Sequence, residues 1–133
     1  MYSFSTRLQG DIADIEKKVT EALQGEGFGV LTEIDVQAVF KKKLEIDRLP
    51  YKILGACNPV LANQAISADA DIGLLLPCNV LLRGEENGDV TVGFMDPAAV
   101  LNLVQSDEVT ALAGEVRGRL ERVRDSLGGK ASN

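Results

Sequence analysis

The spacing of apolar residues along this 133-residue chain alternates between a period of two and a period of three to four. A period of two places every second side chain on one face of a β-strand, whereas the longer period places apolar residues on one stripe of a helix. A chain that mixes both patterns is expected to fold as an α+β protein. The pattern predicts strands at Tyr2–Arg7, Phe28–Val36, Tyr51–Cys57 and Val90–Phe94.

The predicted helices begin after side chains that accept hydrogen bonds from a first helical turn. Asn58-Pro59 and Asp96-Pro97 each place proline at the first helical position, where no N–H is needed. The face predicted for the helix after Asn58 consists of Leu61, Ala62, Ala65 and Ile66. Residues 129–133 are expected to form a frayed tail. The other helices are predicted from Asp11 to Gly25, from Asp35 through Leu44, and from Ser106 or Asp107 to Leu127.

The segment Ile72–Arg83 is apolar on both faces that a strand would present. A strand buried on both sides needs cover from helices on one side and from something else on the other. In so short a chain a second copy would give that cover, so a homodimer is expected. Pro77 lies within the segment and cannot donate a ladder hydrogen bond, which predicts a bulge or break there.

Charge and histidine content exclude several classes of function. Lys plus Arg is 14 and Asp plus Glu is 20, which gives a net charge of −6. Such a surface repels nucleic-acid phosphates and gains nothing from anionic lipid, so neither partner is expected. The chain has no histidine, which removes Ser-His-Asp triads, Cys-His dyads and imidazole metal sites. We predict no cofactor and no metal site.

Length and the N-terminal sequence lead to the expectation of one cytoplasmic domain spanning residues 1–133. Two halves of such a chain would each be too small to bury a good core. The N-terminus lacks the apolar segment of a signal peptide, and the longest apolar run, Leu74–Leu76, is far shorter than a membrane span. The 2 cysteines are therefore expected to be free thiols.

Two runs that contain Cys-Asn carry a family resemblance. They are Tyr51–Pro59 and Ile72–Val80, followed by Asp96-Pro97. With them the chain resembles the domain-of-unknown-function family numbered 302 over nearly its whole length. The resemblance implies a fold similar to half of the TATA-binding protein, with helices packed on one face of an antiparallel sheet. It also implies a dimer, and it implies no activity.

Cys57 and Cys78 are the first candidate site, because each precedes an asparagine near the end or break of a predicted strand. Cys57 lies just before a helix N-terminus, where exposed amides favour a thiolate. The two thiols could form a reversible disulfide, carry a persulfide or share a metal across a dimer. The alternative is that both are small buried apolar residues, which the absence of Cys-x-x-Cys spacing favours.

Asparagine and lysine side chains supply the remaining candidates for binding. Asn58 is explained as a helix cap, whereas Asn79 would either satisfy backbone groups at the break or bind a ligand, so both are candidates for a ligand pocket. Lys41, Lys42 and Lys52 belong to the densest positive region and are candidates for binding a small anion. A solvated helix face is the commoner explanation of such a run.

Two functions from different classes follow from these residues. The first is a dimeric binding module that recognises a small ligand or a protein partner. The second is a thiol-based redox or sulfur-handling protein that uses Cys57 and Cys78. A hydrolase or transferase that relies on carboxylates alone ranks below both, because no paired-carboxylate pattern is visible.

Overall fold

Residues 1–132, the part of the chain described by this computed structural model, form six strands and five α-helices. The strands are β1 (Ser3–Leu8), β2 (Gly29–Asp35), β3 (Tyr51–Cys57), β4 (Cys78–Gly84), β5 (Val90–Met95) and β6 (Lys130–Ser132). The helices are α1 (Ile12–Gly25), α2 (Val36–Leu44), α3 (Pro59–Ala68), α4 (Pro97–Val100) and α5 (Asp107–Ser126). Two 3₁₀ helices, Ile72–Leu75 and Leu101–Val104, precede β4 and α5 respectively.

The strands form one antiparallel sheet in the order β2-β3-β4-β5-β1-β6, which confirms the predicted α+β fold class. The register places Phe94 opposite both Phe4 and Val80, and it places Leu54 opposite Val80. Since directly opposite residues share a face, these apolar side chains form one continuous surface. The rings of Phe4 and Phe94 stack at 5.4 Å between centroids.

Helices α1 and α5 cover this surface and form the main core with it. Ile15, Val19 and Leu23 of α1 are buried at helical spacing, as the sequence pattern predicts. From α5, Val116, Leu120 and Val123 enter the same cluster. The stripe that these residues make on each helix is what fixes both helices to one face of the sheet.

The predicted helix caps are confirmed at four helices. The side chains of Asp35, Asn58, Asp96 and Ser106 accept hydrogen bonds from backbone N–H groups of α2, α3, α4 and α5, at 2.9, 3.2, 2.9 and 3.4 Å respectively. Each cap satisfies an N–H that the helix itself leaves without a partner. The caps at Asp35, Asn58 and Asp96 lie where the chain leaves β2, β3 and β5.

A second, smaller core lies between α3, the two 3₁₀ helices and the first half of α5. Its buried members are Ala65, Ile72, Leu101, Val109 and Ala113. Half-buried Leu75, Leu76 and Leu112 pack against them. The protein therefore has two apolar clusters whose boundary runs past the Cys57 end of β3.

Two sequence-based expectations are wrong. Residues 72–75 form a 3₁₀ helix rather than the start of a strand, and β4 begins only after Pro77. The long strand with two apolar faces does not form, so the reason given for expecting a dimer no longer applies. The expected frayed tail is also wrong, since Lys130–Ser132 pair with β1; Asn133 lies outside the described residues.

Candidate functional site

A cavity of about 370 Å³ lies where the two apolar clusters meet. Phe28, Ala56, Cys78 and Val116 border it from the main core, and Ala65 and Leu101 border it from the smaller core. Interiors are normally packed to the density of organic crystals, with few voids larger than a water molecule. A cavity of this size between two cores is therefore an unusual feature of the fold and a candidate binding site.

Helix α3 forms one wall of the cavity. Leu61, Ala62, Ala65 and Ile66, the face predicted from sequence, all line it. Their positions follow from the Asn58-Pro59 corner, where Oδ1 of Asn58 accepts a hydrogen bond from Leu61 N at 3.2 Å. The cap fixes the start of the helix and hence which of its faces turns toward the sheet.

The opposite wall comes from an irregularity in the edge strand β2. The register with β3 shifts between Val30 and Thr32, which leaves Leu31 at the break. Thr32 then lies opposite Gly55, where a Cβ atom would come within 2.6 Å of Thr32 Oγ1 and 3.0 Å of Pro77 Cγ. Glycine thus lets Thr32 and Pro77, which both line the cavity, close over the sheet.

Cys57 and Cys78 both line this cavity, so the structure brings the two candidate thiols together. Burial raises the pKa of the Cys57 thiol. Burial, with a smaller repulsion from Cys57, raises the pKa of Cys78 to about 11. The shift at Cys57 is opposite to the thiolate stabilisation expected there from the helix N-terminus, because burial disfavours the charged thiolate.

The sheet register does not favour a disulfide between the two cysteines. Ala56 lies directly opposite Cys78, so the alternation of side chains turns Cys57 to the other face of β3. Side-chain vectors that diverge in this way prevent a bridge without backbone movement. Both cysteines are free in the structure.

The two asparagines have different surroundings. Asn58 is buried, caps α3 and borders the cavity. Asn79 is exposed on β4, opposite Gly55, on the face of the sheet that α1 and α5 leave uncovered. Only Asn58 therefore lies beside the two cysteines.

The candidate anion-binding lysines meet carboxylates of the chain itself. Lys52 Nζ lies 2.8 Å from Glu16 and 2.7 Å from Glu33, and these hydrogen bonds raise its pKa. Lys41 pairs with Asp47 at 2.8 Å on the surface. Lys42 is exposed on α2. An anion at Lys41 or Lys52 would have to compete with these carboxylates.

A larger cleft of about 750 Å³ lies at the opposite end of β3 and β4. Charged side chains from several elements line it: Arg7, Asp47, Arg48, Arg83, Glu85 and Glu86. Arg83 pairs with Glu85, and Arg7 pairs with Asp89 at 3.1 Å. These pairs already satisfy much of the charge that a ligand would use.

Several cavity residues were missed by the sequence argument. Leu31 and Thr32 read as ordinary strand residues, and Leu76 and Leu112 read as core. No local signal marks the register shift in β2, because it arises from pairing with β3. Of the cavity lining, the sequence had singled out the four-residue face of α3 together with Cys57, Asn58 and Cys78.

Residues 1–132 contain neither a metal-binding cluster of side chains nor a helix that could span a membrane. No group of three or more Cys, Asp or Glu side chains in this range could hold a metal ion. The helices of the same range include none that is both long enough and apolar enough to cross a membrane.

The protein is thus an α+β domain in which helices cover one face of an antiparallel sheet and an apolar cavity lies beside two cysteines. Residues 4–127 match the family described as Domain of unknown function DUF302, and the chain belongs to that family. The resemblance seen in the two Cys-Asn runs is thereby confirmed. The fold is similar to the crystal structure of an uncharacterized conserved protein DUF302 from Bacillus stearothermophilus, with a TM-score of 0.87. That protein is 25% identical, and the match covers 94% of this chain and 97% of the other. No curated protein matches the sequence.

Proposed function

We propose that this protein is a small-molecule binding module and that the cavity between its two cores is the binding site. The observation that carries the proposal is the apolar cavity of about 370 Å³, a volume in the range of ligand pockets. Three structural features meet at the cavity: the Asn58 cap that starts α3, the register shift in the edge strand β2, and Pro77 directly before β4.

The test uses two fluorescent probes, neutral N-phenyl-1-naphthylamine and anionic 8-anilinonaphthalene-1-sulfonate. We expect at least one to bind saturably to the wild-type protein. Ala62→Trp fills the cavity from α3 and should weaken that binding at least tenfold. The matched control Ala111→Trp changes an exposed alanine of α5 that does not line the cavity, and it should leave binding unchanged.

The fold of each variant is checked by thermal unfolding. If Ala62→Trp does not unfold cooperatively, Ile66→Trp replaces it, because Ile66 lines the cavity and is already half exposed. Saturable binding that survives the filling variants would show that the probes bind elsewhere. Absence of saturable binding by both probes would count against the module itself.

We further propose that the module acts as a homodimer through α2 and the segment that follows it. None of the nine described residues of α2 is buried. Leu44 and Leu49 are 58% and 48% exposed, and Ile34 at the end of the edge strand β2 is 48% exposed. Exposed apolar residues grouped beside an unpaired strand edge are typical of a protein–protein interface.

Sedimentation velocity at micromolar concentration tests this assembly. The wild type should sediment as a dimer, and Leu49→Glu should shift it to monomer. Leu103→Glu, at an exposed apolar position of the second 3₁₀ helix, should have no such effect. A monomeric wild type would end the dimer proposal and leave the binding site untouched. The free thiols of Cys57 and Cys78 support a cytoplasmic location for this assembly.

A thiol-based redox or sulfur-handling role is the second candidate function. Its support is the position of Cys57 and Cys78 in the same cavity. The raised pKa values oppose it, because the thiolate is the reactive form. Site-resolved alkylation across pH 6–11 should show Cys57 reacting well ahead of Cys78 and neither reacting fast at pH 7. A Cys57 that reacts fast at pH 7 would favour the thiol role over the binding module.

A further inference from the structure

We infer that the cavity selects a neutral, largely apolar small molecule over any ligand that must bury a charge. This inference rests on the proposed binding function and specifies its substrate class. It is drawn from three properties of the cavity: the chemistry of its walls, its size and the composition of its mouth.

The side chains of the walls offer no counter-charge to a buried charge. Among the described residues that line the cavity, none carries a charged side chain. The polar side chains are those of Thr32, Asn58 and the two cysteines, and Asn58 already accepts a hydrogen bond from Leu61. A carboxylate or ammonium placed there would lose its hydration without gaining a counter-charge, which is strongly unfavourable.

The size of the cavity limits the ligand to a compact apolar group. An apolar cavity of about 150 Å³ holds a single benzene ring. A cavity of about 370 Å³ is more than twice that size. Two fused or linked rings, or an alkyl chain of medium length, would therefore fill it.

The mouth of the cavity is apolar as well. Leu31 and Ile66 line the cavity, yet they are 65% and 48% exposed. A bound apolar ligand that extends out of the cavity between Leu31 and Ile66 would cover both side chains and remove them from water, which favours binding. A charged head group at this mouth would face two hydrophobic side chains instead of a partner.

A matched ligand series tests the inference. Decan-1-ol, decanoate and decylammonium carry the same chain and differ in head-group charge. Each is titrated into the wild-type protein by isothermal calorimetry and, in parallel, against the bound fluorescent probe. We expect decan-1-ol to bind at least tenfold more tightly than either charged compound, and we expect Ala62→Trp to weaken its binding.

Charge introduced at the mouth should reduce this preference for the compound of opposite charge. Ile66→Lys places a cation at an exposed position that lines the cavity, and it should strengthen decanoate binding at least threefold relative to decan-1-ol. Ile66→Glu is the matched control and should do the same for decylammonium. These shifts would show that the compounds bind at the cavity and that the wild-type mouth lacks a counter-charge.

The failures of the inference and of the proposed function are distinguishable. If decanoate or decylammonium binds the wild type as tightly as decan-1-ol, and Ala62→Trp abolishes that binding, the cavity is a ligand site but the neutral-ligand inference is wrong. If the three compounds and both probes all fail to bind saturably, both the proposed binding function and the neutral-ligand inference are wrong. Equal binding of decan-1-ol by wild type and Ala62→Trp would also overturn the inference, because the alcohol would lie outside the cavity.

Discussion

The two ends of strands β3 and β4 carry concavities that differ in the chemistry of their lining as well as in volume. At the Tyr51–Arg83 end lies the larger cleft, about 750 Å³, lined by charged side chains that include the Arg83–Glu85 ion pair. At the Ala56–Cys78 end lies the smaller cavity, about 370 Å³, lined by apolar side chains from both cores. Only the second is lined without any charged side chain among the described residues.

The difference shows which kind of concavity needs an occupant. Water solvates a cleft of paired charges well, so an empty charged cleft costs little. An apolar cavity loses dispersion contacts on every wall when it is empty, and its lining gains them when a ligand enters. The unsatisfied chemistry of the walls, rather than volume, is therefore what marks the Cys57 end as the candidate site.

Introducing a charge at each end should give the largest contrast in stability. Ala65 lines the cavity and is 5% exposed, so Ala65→Asp would bury a carboxylate among apolar residues. We expect it to lower the free energy of unfolding by about 3 kcal/mol or to raise the pKa of the new carboxyl. Urea denaturation measures the change. Ala111→Asp on exposed α5 is the control, with an effect within about 0.5 kcal/mol. A near-neutral Ala65→Asp would mean that the cavity is wet and polar.

Alkaline pH should destabilise the protein through Cys78. The folded state holds the thiol proton up to a pKa of about 11, whereas the ordinary value is 9.0. Between these values the folded state binds more protons than the unfolded state, so stability is full below pH 9 and is lost as pH rises toward 11. The expected loss is roughly 2 to 3 kcal/mol. Urea denaturation of wild type and Cys78→Ala across this pH range isolates the loss due to Cys78, because the other groups that titrate at alkaline pH are present in both proteins. Equal pH dependence of the two proteins would show that Cys78 is hydrated.

The smallest effect is expected in the charged cleft. Arg83 is exposed and pairs with Glu85, which also accepts a hydrogen bond from Thr91 at 3.0 Å. We expect Arg83→Leu to cost less than about 1 kcal/mol, because exposed ion pairs are screened by water and salt. Denaturation at low and high salt checks both points. A large, salt-independent loss would mean that the cleft is a desolvated site and would weaken its contrast with the cavity.

Much of the fold was predictable because its signals are local. The caps at Asp35, Asn58, Asp96 and Ser106 and the stripes of α1 and α5 depend on residues within a few positions of one another. The cavity face of α3 was visible for the same reason. These features require only helical periodicity and the preferences of the first helical turn.

The features that escaped prediction depend on distant pairing. Residues 72–75 alternate like a strand, but the smaller core, where Ile72 is buried, holds them as a 3₁₀ helix. The tail pairs with β1, and the residue before it must be glycine, because a Cβ atom at Gly129 would lie 2.5 Å from Arg7 O. The register shift in β2, which builds the cavity wall, likewise depends on β3. Sequence could therefore identify Cys57, Cys78 and Asn58 but not the space that unites them.

Backbone amide chemical shifts recorded during a titration with decan-1-ol would locate the binding site directly. The apolar cavity predicts saturable shifts concentrated at Cys57, Ala65 and Leu76, with little change at Arg7, Arg83 and Glu85. Shifts concentrated at the Arg83 end instead, or no saturable shifts at all, would contradict the assignment of the binding site to the junction of the two cores.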